Sequence, residues 1–327
     1  MGRVGRRQFL IAAGALLAAP RIGRAQQPGR TYRVGALFAG DSETRQLLRS
    51  ALTERLSTHG FVEGGNLRIE YRFGFVGTTT NQNAVTALLA VKPDALFTVW
   101  TLPTQAAQRL TSTVPIVFTL VVDPIGSGLV QSYARPGGNV TGVTTRFAEL
   151  FVKRLEFARE LLPGVKRVAV TGAWGERYRL LVPPFRSAAK QLGVDLIEVD
   201  YRSAEDSVEF AARGGAEVII PFDAFAHGLR ASGEQMVRAA LERRMPVIFA
   251  GAEMVEAGGL MSYGTNTVDD VHRGAALLAR VLKGEKPADI PVDQAARFEL
   301  AVNLKTAKAI GVTIPHSIML RADRVIE

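Results

Sequence analysis

Arg33-Val34-Gly35-Ala36-Leu37-Phe38 is a short apolar run that ends at Ala39-Gly40-Asp41-Ser42. Directly after it, Leu47, Leu48, Ala51, Leu52 and Leu56 recur at helical spacing and stop at His59-Gly60. The run has the length of a buried strand, and the recurrence marks a helix that buries one face. Asp41 or Ser42 can cap the start of that helix, and Gly60 can take the left-handed conformation that closes it. The same unit then repeats. Strand-like Leu67 to Phe73 precedes a helix over 81–91. Strand Ala95 to Val99 precedes a helix over 103–111, and strands Ile116 to Leu120 and Asn139 to Val143 follow.

A second series begins with a helix over 148–162. Strand Arg167 to Thr171, helix 180–192, strand Val194 to Val199, helix 205–213 and strand Val218 to Pro221 come next. Helix 232–244, strand Val247 to Phe249 and strand Leu260 to Tyr263 complete it. Strands alternating with helices imply right-handed crossovers and parallel sheets. At 327 residues and 47% hydrophobic content the chain supports two such cores. The fold class is therefore α/β, two doubly wound parallel-sheet lobes joined by a hinge of several strands. The tail breaks the rhythm: helix 268–283, strand-like Phe298 to Val302 and a short helix from Leu304 to Ile310 are too little for a third domain. Lobe one is expected to hold 31–145 plus 266–284, and lobe two 146–264 plus 285–327.

The first 25 residues read as an address. Arg6-Arg7-Gln8-Phe9-Leu10 leads into an apolar stretch, Ile11 to Ala19, that Pro20 ends. It is shorter than the ~20 residues a bilayer span needs. Gly23-Arg24-Ala25 offers small residues for a signal peptidase, with Gln26 as the mature start. The segment resembles a twin-arginine export signal, so the protein is expected to be periplasmic, and soluble once the signal is removed near Ala25.

Net charge is +9, but five arginines (Arg3, Arg6, Arg7, Arg21, Arg24) lie in 1–25, and without them 35 basic residues face 31 acidic ones, or +4. The rest are interspersed, which argues against a nucleic-acid partner. The absence of cysteine excludes disulfides, thiolate metal sites and cysteine nucleophiles. No G-x-G-x-x-G follows the first strand, and neither a phosphate-binding loop nor a G-x-S-x-G elbow occurs. His59, His227, His272 and His316 have no metal-ligand spacing. No catalytic residue, metal or cofactor is expected.

Short polar or aromatic clusters directly after strands remain. In an open parallel sheet, ligands bind beyond the carboxyl ends of strands, where helix N-termini present free N–H groups. In the first lobe these clusters are Gly40-Asp41-Ser42, Trp100-Thr101 and Asp123. In the second they are Ala173-Trp174, Phe222-Asp223-Ala224 and Gly251-Ala252-Glu253, with Tyr263 near the last crossing.

Two longer blocks carry a resemblance. Val122-Asp123-Pro124-Ile125-Gly126-Ser127-Gly128-Leu129-Val130 and Ala134-Arg135-Pro136-Gly137-Gly138-Asn139-Val140-Thr141-Gly142-Val143 resemble the signature of one group of ABC-transporter substrate-binding proteins. Gly259 to Gly264 is similar to that group's return crossing. Phe298-Glu299-Leu300, Asn303 to Lys308 and Arg321 to Glu327 are similar to its tail. The resemblance implies a type I periplasmic-binding-protein fold, a ligand held between the lobes, and permease subunits of an ABC importer as partners of a monomer. Some relatives are associated with tryptophan or other aromatic amino acids. A solute-sensing component that signals to a membrane receptor, or an exported enzyme, are the alternative readings.

Overall fold

The computed structural model describes residues 29–40, 42–74, 78–172, 178–222 and 230–327. The export signal lies outside them, as do Asp41, Ala173, Trp174, Asp223 and Ala224. The first series runs β1 (Tyr32–Phe38), α1 (Ser42–Thr58), β2 (Leu67–Phe73), α2 (Thr78–Ala90), β3 (Ala95–Val99), α3 (Thr101–Leu110), β4 (Ile116–Val121) and β5 (Val140–Thr144). The second runs α4 (Phe147–Leu161), β6 (Arg167–Gly172), α5 (Tyr178–Gln191), β7 (Asp195–Asp200), α6 (Ala204–Arg213), β8 (Val218–Pro221), α7 (Arg230–Glu242), β9 (Ile248–Phe249), α8 (Ala252–Glu256) and β10 (Met261–Thr265). The tail adds α9 (Thr267–Leu282), a 3₁₀ turn at Pro287–Asp289, β11 (Asp293–Gln294), β12 (Phe298–Asn303), α10 (Leu304–Ile310), α11 (His316–Met319) and β13 (Arg324–Ile326).

Strands β3 and β4 are buried along their whole length, as parallel strands covered on both faces must be. The first sheet has the order β11-β5-β4-β3-β1-β2 and is parallel throughout. On one face, Leu48, Leu52 and Leu56 of α1 and Val271, Ala275 and Leu278 of α9 close the core. On the other, Val85 and Leu88 of α2 and Ala106 and Ala107 of α3 do so. The two faces make the sheet doubly wound. Helix α2 packs closely because Gly35 has no side chain; a Cβ there would sit 3.2 Å from Leu88 Cβ of that helix. Gly60 takes φ 88° at the end of α1, the left-handed closure its position requires.

The second lobe has the same plan. A sheet β7-β6-β8 and a sheet β13-β12-β10-β9 are joined by the parallel bridge Ile219↔Val247. Helices α4 and α5 bury Phe151, Leu155 and Phe185 on one face. Helices α6 and α7 bury Val208, Ala211 and Met236 on the other. Strand β12 runs antiparallel to β10, the exception to the parallel rule in this lobe.

The tail crosses between lobes as its length demands. Helix α9 lies on the first sheet: Thr119 of β4 donates its hydroxyl to the Asp270 carbonyl at 2.9 Å. The segment that follows corrects the sequence-based division at 285–327. Thr141 Oγ1 donates to the Ile290 carbonyl at 2.8 Å, and β11 pairs with β5. Ile290 and Val292 are buried in the first lobe's cores. Two residues are too short a strand to read from periodicity, so the return to lobe two falls at 295–297 rather than at 285. Among the described residues, three connections therefore pass between the lobes: at 145–146, at 266 and at 295–297.

Candidate functional site

The C-terminal edge of the first sheet holds an unusual amount of backbone strain. Among the described residues, positive φ at non-glycine positions occurs at Lys92, Trp100, Leu120, Asp123, Arg146 and Arg244. Lys92 and Arg244 follow helix ends, an ordinary place for it. The other four follow β3, interrupt β4, follow β4 and form the first crossing. Strain of this kind concentrates where a fold holds a site.

Trp100 is the sharpest case. It has φ 68° and ψ 168°, a region that essentially only glycine visits, at the N-cap of α3. Its N–H donates to the Thr119 carbonyl at 3.0 Å. Its carbonyl accepts from Thr104 Oγ1 at 2.7 Å, and Thr104 Oγ1 lies 2.8 Å from Thr98 Oγ1. The Thr104 proton is spent on the carbonyl, so Thr98 donates to Thr104. Both hydroxyls are fully buried. This chain locks the turn and leaves Trp100 half-buried against the first-lobe core. No side chain caps α3, so the N–H groups of Thr101 and Leu102 have no partner within the helix.

Thr101 is tied to the neighbouring cluster. Its hydroxyl accepts from the Val122 N–H at 3.2 Å, which places the clusters at 100–101 and 123 side by side. Asp123 is exposed, has φ 44°, and accepts the Gly126 N–H on Oδ1 at 2.8 Å. One carboxylate oxygen thus holds the turn that runs into Gly126-Ser127-Gly128. Tyr133 nearby has its hydroxyl pKa raised, by burial first and then by the charges of Asp123 and Glu149. Gly40 is buried with φ 104°, and Ser42 is the exposed first residue of α1.

In the second lobe Phe222 is half-buried at the end of β8, its N–H bonded to the Thr171 carbonyl at 2.7 Å. Its ring lies 4.8 Å from Phe147 and 6.2 Å from Phe185, both edge-on or tilted. Gly251 is buried as the N-cap of the short α8, with Glu253 in its first turn. Tyr263 lies on β10 beside the strand that leads into Gly251, with its ring on the face that α4 covers. It packs 5.1 Å from Phe157 and 6.1 Å from Phe298, beside α4 and β12. Strand parity explains the direction: Met261 and Tyr263 share that sheet face.

Several buried hydroxyls lack a hydrogen-bond partner, and two of them fall at strand ends outside the clusters expected from the sequence. Thr145 Oγ1 at the first crossing and Thr171 Oγ1 at the end of β6 have no hydrogen-bond partner in the structure. Such groups are rare in folded proteins and suit a ligand or water. Their only signal in the sequence is position, as the last residues before a crossing or a strand end. Among the described residues, no group of three or more His, Cys, Asp or Glu is placed to hold a metal.

The geometry can be set beside known proteins. A tyrosine-binding protein of Clostridioides difficile is 26% identical over 269 residues, covering 81% of this chain and 76% of that relative. The crystal structure of a conserved domain protein from Vibrio cholerae superposes with a TM-score of 0.83 at 27% identity, over 90% of this chain and all of that one. An ABC domain from Streptococcus pneumonia, solved in complex with L-Trp, gives 0.82 at 24% identity, again over 90% of this chain and all of the other. The model of the ABC transporter substrate binding proteins matches residues 34–326. Two doubly wound lobes, three crossings and a strained, polar strand edge are thus carried by a chain that belongs to the ABC transporter substrate-binding protein family.

Proposed function

We propose that this protein is the periplasmic solute-binding component of an ABC importer, and that its two lobes close around an aromatic amino acid or a close relative of one. The observation that carries the reading is Trp100, held in a glycine-only conformation at the uncapped N-terminus of α3. A fold retains an aromatic residue under such strain where the side chain and the bared N–H groups are used together. The ligand class is supported by a relative named for tyrosine and by a fold neighbour solved with L-Trp.

In this reading the ligand carboxylate takes the N–H groups of Thr101 and Leu102, with Ser42 at the adjacent helix start. The second oxygen of Asp123, or Asp223, takes the ammonium. Trp100, Trp174 and Phe222 cover the side chain, with Gly40, Asp41, Ala173, Ala224, Gly251 and Glu253 around them. Tyr263 is left out, because its neighbours are Phe157 and Phe298. A ligand that touches both lobes favours the closed state by its differential affinity, and the closed state is what a permease reads. Micromolar binding is about −8 kcal/mol, within reach of a few charge-assisted hydrogen bonds and one aromatic contact. The export signal and lobe boundaries 31–145 with 266–294, and 146–264 with 298–327, complete the proposal.

The test is calorimetric titration of ligand-stripped mature protein with the twenty L-amino acids. Micromolar or tighter binding of at least one of tyrosine, tryptophan and phenylalanine is expected. Binding of none of the three would sink the ligand class.

A further inference from the structure

We propose a second small-molecule site, outside the loops described above, that takes an aromatic carboxylate without an amino group. A cavity of about 490 Å³ opens between α4, the third crossing and the tail before β13. That volume suits a small organic ligand. Its wall is aromatic: Tyr263 stands between Phe157 and Phe298, at 5.1 and 6.1 Å.

Its charge is positive, and one cation is unspent. Lys153 pairs with Glu156 at 2.6 Å, and Arg321 pairs with Glu160. Arg297 also lines the cavity, is exposed, and makes no hydrogen bond or ion pair among the described residues. The acid on the cavity wall is Asp323, whose Oδ2 already accepts the Leu300 N–H at 2.8 Å. A free guanidinium beside three rings selects a planar apolar body that carries a carboxylate. Three cations, Lys153, Arg297 and Arg321, face the single carboxylate of Asp323 on this wall, which favours an anion over an ammonium and separates this ligand class from an amino acid. The site also touches the hinge, since Arg146 of the first crossing stands over the Phe298 ring at 5.6 Å.

The experiment uses mature protein and indole-3-acetate as the probe. Calorimetry is expected to give saturable binding, weakened at least tenfold in Arg297→Gln, whose melting temperature should match the wild type because Arg297 is exposed and unbonded. A crystal soaked with the probe is expected to show its carboxylate on the Arg297 guanidinium and its ring against Tyr263. No binding at millimolar probe, equal binding by Arg297→Gln, or a probe lodged elsewhere in the crystal would each overturn the proposal. None of these outcomes bears on the amino-acid reading, which rests on the loops after β1, β3, β4, β6, β8 and β9.

Discussion

Arg154 Nε donates to the carbonyl of Tyr263 at 2.8 Å, and Arg154 is 1% exposed. The bond joins the helix that follows the first crossing to the strand that leads into the second. A buried arginine is expensive to desolvate and is kept where its hydrogen bonds fix a geometry. Arg154→Ala should lower stability by about 3 kcal/mol, through the void it leaves and the carbonyl it strands. Chemical denaturation of the ligand-free protein measures this; a loss below 1 kcal/mol would mean the bond holds nothing.

Strain at Trp100 has its own signature. Alanine at most positions outstabilises glycine, because glycine has more freedom to lose. At φ 68° and ψ 168° the order should reverse. Trp100→Gly is expected to be more stable than Trp100→Ala by about 1 to 3 kcal/mol, while both bind ligand poorly. Denaturant midpoints of the two variants decide it, and the usual order would remove the strain argument.

Asp123 combines two roles that separate on mutation. Because Oδ1 holds the Gly126 N–H, Asp123→Ala should lower stability by about 1 kcal/mol. If Oδ2 also meets a ligand ammonium, affinity should fall by about 1.5 to 3 kcal/mol as well. Titration and melting of the same variant read the two effects independently; a stability loss with unchanged affinity leaves Asp123 a turn residue only.

Glu217 predicts a pH dependence. Its Oε2 accepts the N–H groups of Lys166 and Arg167 at 2.7 and 3.0 Å, and these bonds hold its pKa below the ordinary carboxylate value of 4.5. A depressed folded pKa adds stability that is present above the unfolded pKa and is lost as pH falls through the folded one. Glu217→Gln should therefore melt below the wild type at pH 7 and approach it as pH drops under 4.5. A gap that stays constant across that range would contradict the assignment.

The alternation of buried runs with helical recurrences makes the longer parallel strands of both lobes legible in the sequence. The run at Ala95 to Val99 and the recurrence at Leu48, Leu52 and Leu56 lie where periodicity puts them. The strands at 293–294 and 324–326 were not legible, because they are too short for any period and are set by pairing with β5 and β12. At the candidate site, proximity to strand ends pointed to Trp100, Thr101 and Asp123, which the fold sets side by side, and to Tyr263, whose ring direction depends on which helix covers its strand face. The lock on Trp100 was invisible because Thr98 and Thr104 look like any other threonines until a strand and a helix bring their hydroxyls to 2.8 Å.

The central claim is that two lobes close on a ligand, and a distance between the lobes tests it most directly. The chain has no cysteine, so two can be introduced without background. Ile125 follows β4 in the first lobe and Arg202 follows β7 in the second, and both are exposed. Spin labels on an Ile125→Cys, Arg202→Cys variant report their separation by pulsed electron resonance. With an aromatic amino acid that titration shows to bind, the distribution should narrow and shift to shorter distance. The same distribution with and without that ligand would contradict the account.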